Sequence, residues 1–249
     1  MRLNRSLLPK VHLSHKDKGY GFDVLAERYA AIDKRPLIID AVLATPYVPA
    51  GSDQSVHLDG ILSQAVLTAH PCAPQFNGQA CIVPLPIEIL WLSAQGLPLW
   101  AASDMLPDGD TNQAREYWHK RYPSHRADFG TKLSATTTAG RWKEYRVPLN
   151  AVRTDKLRAV AVGNKAEIER LLSFVSHLGK KGSAGYGRVA QWGVSDLPVE
   201  NALDLILSAK AVPVDYAVES EISGIYNPLK GWTPPYWYAP NWSPCMAAK

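Results

Sequence analysis

The sequence predicts an α+β fold in which an antiparallel sheet is interleaved with two helices in the order βαββαβ. Three observations carry this prediction. Runs rich in aliphatic and β-branched residues, Leu37–Leu43, Leu157–Val162 and Val189–Val194, read as strands. Two longer stretches, His57–His70 and Asn164–Leu178, repeat apolar residues at helical spacing. One glycine-rich stretch, His177 to Arg188, joins the second helix to the last strand. With 249 residues and 46% hydrophobic side chains, the chain is long enough to bury a sizeable core.

Taken in order, residues 1–36 form a basic N-terminal extension. Lys10, His12, His15, Lys16 and Lys18 lead to Gly19-Tyr20-Gly21, and Asp23–Ile32 suits a short helix. This arm is either loosely packed or in contact with a polyanion. The main domain, 37–198, opens with the strand Leu37–Leu43. In the helix that follows, Leu58, Ile61, Leu62, Ala65 and Val66 make the apolar stripe, and Gly60 points to close packing or a close ligand. Ile82–Trp91, with Pro84 and Pro86, reads as an edge strand. Gln95-Gly96 turns it into a second strand, Leu97–Ser103. Asp104–Gln113 reads as a turn-rich loop that begins an insertion over about 104–140. Ala114–Arg126 interleaves basic and aromatic residues, as nucleic-acid contact or as a polar helix. In Gly140–Pro148 the alternation is strand-like and puts Arg141, Lys143, Tyr145 and Val147 on one face.

After Leu157–Val162, Asn164 is placed to cap a helix. Its stripe is Ile168, Leu171, Leu172, Val175 and Leu178, with Glu167, Glu169 and Arg170 outside and Gly179 as the terminating glycine. The order is the ferredoxin-like split βαβ, with helices on one face of the sheet and the other face free. Residues 199–249 are acidic, then proline-rich and aromatic, Trp232 to Trp242, without the periodicity of a regular element.

Charge is unevenly placed. Arg115–Ala190 holds 16 Lys+Arg against 6 Asp+Glu, in a chain of net charge +4. A basic middle suits a polyanion, and nucleic acid is the expected one. The glycine-rich loop has the wrong polarity for a mononucleotide: Walker and dinucleotide loops follow a strand and open a helix, whereas this one follows a helix and opens a strand. Its amides and lysines still suit an anion. His57, His70, Cys72 and Cys81 fit no zinc spacing, and Asp108–Asn112 lacks the glycine and glutamate of a calcium loop. No metal or other cofactor is expected. Cys72, Cys81 and Cys245 imply no disulfide framework. With no apolar run of membrane length and a polar start, a cytoplasmic protein without membrane contact is expected.

Four stretches carry a family resemblance: His57-Leu-Asp-Gly60, Gly140–Pro148, Ala161-Val-Gly-Asn164 and Leu178–Arg188. Over about Leu37 to Val194 the chain resembles the RAMP proteins of CRISPR systems. It looks like the Cas five family subunit that caps the 5′ handle of the guide RNA in type IV CRISPR effector complexes. The resemblance implies a non-catalytic ribonucleoprotein subunit with an inserted thumb reaching the first backbone RAMP subunit. It implies the large subunit and a helicase as partners of the whole complex, with DNA flanking the target close by. The RNA-binding residues it implies are Lys180, Lys181, Ser183, Tyr186 and Arg188 in the loop, and Arg141, Trp142, Lys143, Tyr145 and Arg146 on the strand. Tyr186 either stacks on a base or fills a core gap. The alternative is a metal-independent RAMP endoribonuclease that processes precursor guide RNA. There a base deprotonates a 2′-OH, an acid protonates the leaving 5′-oxygen, and a cation stabilises the phosphorane. His12, His15, His57, His119 and His125 are the candidates.

Overall fold

The computed structural model describes residues 22–49, 56–70, 82–121, 143–198 and 202–247. The chain runs α1 (Phe22–Ala31), β1 (Arg35–Leu43), β2 (Val56–His57), α2 (Leu58–Ala69), then the hairpin β3 (Ile89–Leu92) and β4 (Pro98–Trp100). Next come β5 (Asp104–Pro107), β6 (Asn112–Lys120), β7 (Tyr145–Arg153), β8 (Lys156–Gly163), α3 (Lys165–Leu172) and, after a 3₁₀ turn at Gly182–Ala184, β9 (Val189–Asp196). Last are α4 (Ala202–Ser208), β10 (Val212–Pro213), α5 (Val214–Glu219), β11 (Ile225–Gly231) and β12 (Trp242–Ala247).

The main sheet has the order β2-β5-β8-β1-β9, with every pairing antiparallel. Counting β1, β5, β8 and β9 as the four strands of a βαββαβ unit gives the order 4-1-3-2, which is ferredoxin-like. Alternation sets its core face. Leu37, Ile39 and Ala41 of β1 lie opposite Ala161, Ala159 and Leu157 of β8, all at most 2% exposed. Leu58, Leu62 and Val66 of α2 and Ile168, Leu171 and Leu172 of α3 cover them in one cluster. Asn164 caps α3 as expected, its side chain accepting the Glu167 amide. No helix among the described residues is long and apolar enough to cross a membrane.

Several expectations are corrected. The second strand of the unit is β5, inside the stretch read as loop, so the insertion lies beyond Pro107. The hairpin turn at Gln95-Gly96 is present, with Gly96 at φ +77 and its amide on the Ser93 carbonyl at 2.8 Å. The hairpin it closes, however, is a separate two-stranded sheet. The basic stretch from Ala114 is strand, not helix: β6 and β7 pair over nine residues as a ribbon of their own. Helix α3 stops at Leu172, where bonds from Phe174 to Leu171 (3.1 Å) and Val175 to Leu172 (2.9 Å) tighten and end it. Gly179 therefore ends no helix.

The N-terminal segment is not an arm where it is described. Phe22, Leu25 and Tyr29 of α1 are buried in the main cluster. The Tyr29 hydroxyl donates to Glu167 at 2.7 Å, so Glu167 is buried rather than outside. Nor is the C-terminal region irregular: α4, α5 and the sheet β10-β12-β11 build a second cluster. In it Val212, Tyr216, Trp232 and Cys245 pack on Leu99 and Trp91 of the β3–β4 hairpin. The open face of the main sheet is not a cationic surface. Arg158 there is held by Asp40 at 2.8 and 3.1 Å and by Asp108 at 3.0 Å, and Lys156 by Asp108 at 2.6 Å.

Candidate nucleic-acid interface

The glycine-rich loop is built by backbone contact. Residues 45–48, leaving β1, run between the loop and the base of the ribbon. Tyr47 exchanges amide–carbonyl bonds with Val152 of β7 at 2.9 and 2.8 Å. On its other side Val48 accepts the Lys180 amide and Pro46 the Gly187 amide, both at 2.7 Å. Thr45 Oγ1 accepts the Arg188 amide at 2.9 Å and donates to the Gly185 carbonyl at 2.8 Å. Gly179 makes this approach possible, and Gly187 lets the two ends of the loop close on each other. A Cβ on Gly187 would stand 1.9 Å from the Leu178 carbonyl oxygen, and one on Gly179 2.4 Å from that of Val48; both have positive φ. The amides of Ala184, Gly185 and Tyr186 also donate within the loop. The expected cradle of free amides is therefore partly spent on the protein itself, and side-chain charge adds to what the loop offers an anion.

The ribbon supplies the facing surface. Its register puts Glu116, Trp118 and Lys120 opposite Leu149, Val147 and Tyr145 on one face. That face meets the loop. The Lys181 ammonium sits 4.2 Å over the Trp118 ring, and the Tyr186 hydroxyl donates to Glu116. Tyr186 packs with Trp118 and Val147 against Val48, Leu149 and Ala151. The bond to Glu116 and partial burial raise the Tyr186 hydroxyl above its ordinary value. Of the two readings left open, Tyr186 therefore fills a gap between loop and ribbon. Trp118 and Tyr145 lie tilted at 5.4 Å.

Of the expected site residues, Lys181 and Tyr186 are locked in this junction, while Lys180, Ser183 and Arg188 stand exposed along the loop. Lys180 and Arg188 have no carboxylate within ion-pair distance among the described residues. Lys143 is exposed just before β7, and Tyr145 faces the same side as Trp118. Arg146 is on the opposite face, its guanidinium 3.6 Å over Tyr117. The expected one-face cluster is thus divided between the two sides of the ribbon, because β7 passes through Tyr145 and Arg146 as successive residues. Arg141 and Trp142 lie outside the described residues. Thr45 and Glu116 escaped the sequence reading because nothing local marks a residue whose partner is far along the chain.

A cleft of about 280 Å³ opens beside the loop, lined by Val56, His57, Gly60, Ile61, Gln64, Val175, His177, Leu178, Gly179 and Tyr236. His57 Nδ1 bonds to Asp104 at 2.7 Å, and its ring stacks on Tyr236 with centroids 3.8 Å apart. Behind it, buried Asp59 accepts Lys210 at 2.6 Å and the Tyr236 hydroxyl at 2.7 and 2.9 Å. Burial, with the charge of Asp59, pushes the Tyr236 hydroxyl well above its ordinary value. Of the other histidines, His119 is exposed on the ribbon. His12, His15 and His125 lie outside the described residues.

No curated protein matches the chain. Among solved structures, a chain of the Type III-B Cmr-beta bound to cognate target RNA, seen by cryo-EM, aligns over 73% of this chain and 67% of that one. The identity is 12% and the TM-score 0.38, too low to carry an argument. The family described as CRISPR type IV associated protein Csf3 matches residues 35–247, from the first residue of β1 to the last of β12. The ferredoxin-like sheet, the ribbon and the C-terminal sheet all fall within that match, and the chain belongs to the Csf3 family of CRISPR type IV associated proteins.

Proposed function

We propose that this protein is a non-catalytic, guide-RNA-binding structural subunit of a type IV CRISPR ribonucleoprotein, capping the repeat-derived 5′ handle and nucleating assembly for DNA interference. One observation carries the reading. Lys180 and Arg188, exposed and without ion-pair partners among the described residues, flank a loop held rigid against a ribbon that offers further basic and aromatic side chains. Cations carried on a backbone held in place neutralise phosphates, and adjacent aromatics suit single-stranded bases. Family membership supplies a CRISPR type IV setting, and the proposal adds the backbone RAMP subunits, large subunit and helicase as partners.

The test is binding of repeat-derived RNA at several salt concentrations. Replacing Lys180, Lys181 and Arg188 together by alanine weakens binding and lowers the slope of log K against log salt by ~0.7 per lost single-strand phosphate contact, about 1.4 for Lys180 and Arg188. An unchanged slope removes the loop from the site.

A second reading, metal-independent RNA cleavage, draws on the cleft that His57 and His177 both line. The Asp104 carboxylate on Nδ1 orients His57 as it would a general base. Incubation of repeat RNA with the protein in EDTA separates the two. Intact RNA supports the binding role; a clean cut that disappears in His57→Ala replaces it with cleavage.

A further inference from the structure

We propose that the cleft between the first turn of α2 and the glycine-rich loop receives one unstacked nucleobase of the bound single-stranded RNA. The inference rests on the RNA-binding reading and adds to it a base site that the loop's cations alone do not give.

Size and lining point to a single heterocycle. At about 280 Å³ the cleft lies just under the ~300–1,000 Å³ range of pockets that take larger organic ligands. Val56, Ile61, Val175 and Leu178 give it apolar walls, and His57, His177 and Gln64 place a few hydrogen-bonding groups among them. The His57 imidazole is fixed, and the His177 imidazole is exposed at the rim. His57 spends Nδ1 on Asp104 and one ring face on Tyr236, while His177 spends Nδ1 on Ser176 at 2.9 Å. Each therefore has Nε2 left for a base edge, and flat side chains are what unstacked RNA bases bind.

Gly60 gives an independent sign that the space is kept open. A Cβ there would meet Tyr236 at 3.4 Å and His57 at 3.7 Å, ordinary contact distances, and no positive φ requires glycine. Glycine in a helix is nonetheless less stable than alanine. Packing does not call for Gly60, whereas a side chain at this position would intrude on the cleft.

A polymer fits better than a free nucleotide. A mononucleotide needs its phosphates cradled, and the loop amides at Lys180, Ala184, Gly185, Tyr186 and Gly187 already donate within the protein. A strand gripped by Lys180 passes the rim directly, because Lys180 follows Gly179 of the lining.

An abasic scan tests this. Handle RNAs lacking one base at a time are titrated against the wild type, Gly60→Leu, which fills the cleft, and His177→Ala, which trims its wall. Thermal unfolding checks that each variant folds. In the wild type one abasic position costs roughly ten-fold in affinity, the scale of one stacked base, and its neighbours cost much less. Either folded variant binds intact RNA about ten-fold more weakly and no longer distinguishes that position. Tight, salt-dependent binding with no position singled out and both variants at wild-type affinity overturns the base site and leaves the RNA-binding role standing. Absence of salt-dependent RNA binding by the wild type overturns both.

Discussion

Replacing Lys210 by methionine tests how the C-terminal region is fastened to the ferredoxin-like unit. The Lys210 and Asp59 side chains are 2% and 1% exposed and 2.6 Å apart. Methionine keeps much of the length and removes the charge. Asp59 then retains only neutral donors, the Tyr236 hydroxyl at 2.7 and 2.9 Å and the Gly60 amide at 2.8 Å. Stranding one member of a buried pair costs about 3–5 kcal/mol. At roughly 2–4 °C per kcal/mol for a chain of this size, Tm falls by ~6–20 °C. The double substitution Asp59→Asn with Lys210→Met removes both charges and recovers most of the loss, so the cycle shows a coupling of ~2 kcal/mol or more. Urea unfolding followed by tryptophan fluorescence measures all four proteins. A cost below about 1 kcal/mol for Lys210→Met, or a double variant as unstable as the sum of the singles, refutes the buried, coupled pair.

Two further outcomes follow from the geometry. Gly187→Ala, whose Cβ would meet the Leu178 oxygen at 1.9 Å, costs about 3 kcal/mol or more and abolishes loop docking. Gly185→Ala, with nothing within 4 Å, costs only the ~1–2 kcal/mol of a left-handed residue; equal losses in thermal unfolding and RNA binding would contradict the docked loop. Burial alone would raise the Glu167 carboxyl, but hydrogen bonds from Arg170 and Tyr29, with the charges of Arg170 and Arg28, outweigh it and hold the value down. A depressed folded value stabilises above the ordinary carboxylate range and loses that contribution as pH falls through it. Wild type therefore loses more stability on acidification from neutral to about pH 3 than Glu167→Gln does; parallel curves would exclude the linkage.

The sequence made β1, β8, α2 and the start of α3 legible because each has one strongly apolar face against the core. It hid β5, four residues beginning with Asp104 and ending with Pro107, whose strand character comes from pairing with β8 at Leu106 and Pro107. The ribbon was legible in β7 only. In β6 the apolar surface that Trp118 covers belongs to Val48, Leu149 and Ala151, which no window around residue 118 contains. The C-terminal sheet was illegible for the opposite reason. Its strands include Pro228 and Pro244, and its core is completed by Leu99 of an earlier hairpin. At the candidate site the residue types were legible and their division between two faces was not. The loop glycines read as a means of exposing amides, whereas Gly179 lets the loop press against Val48 and Gly187 lets it close on Leu178.

The hydrogen bond from Thr45 to Gly185 spans 140 positions, and that from Tyr236 to Asp59 spans 177. Distance along the chain becomes time during synthesis. At roughly 5–20 residues per second, Thr45 waits about 7–28 s for its loop partner, and Asp59 about 9–35 s for its tyrosine. Through that interval the nascent ferredoxin unit carries an unfinished cleft, and until Lys210 is made Asp59 has no cation beside it. The wall that Tyr236 contributes is made 177 positions after Asp59, so the cleft is completed long after the helix that forms its other side.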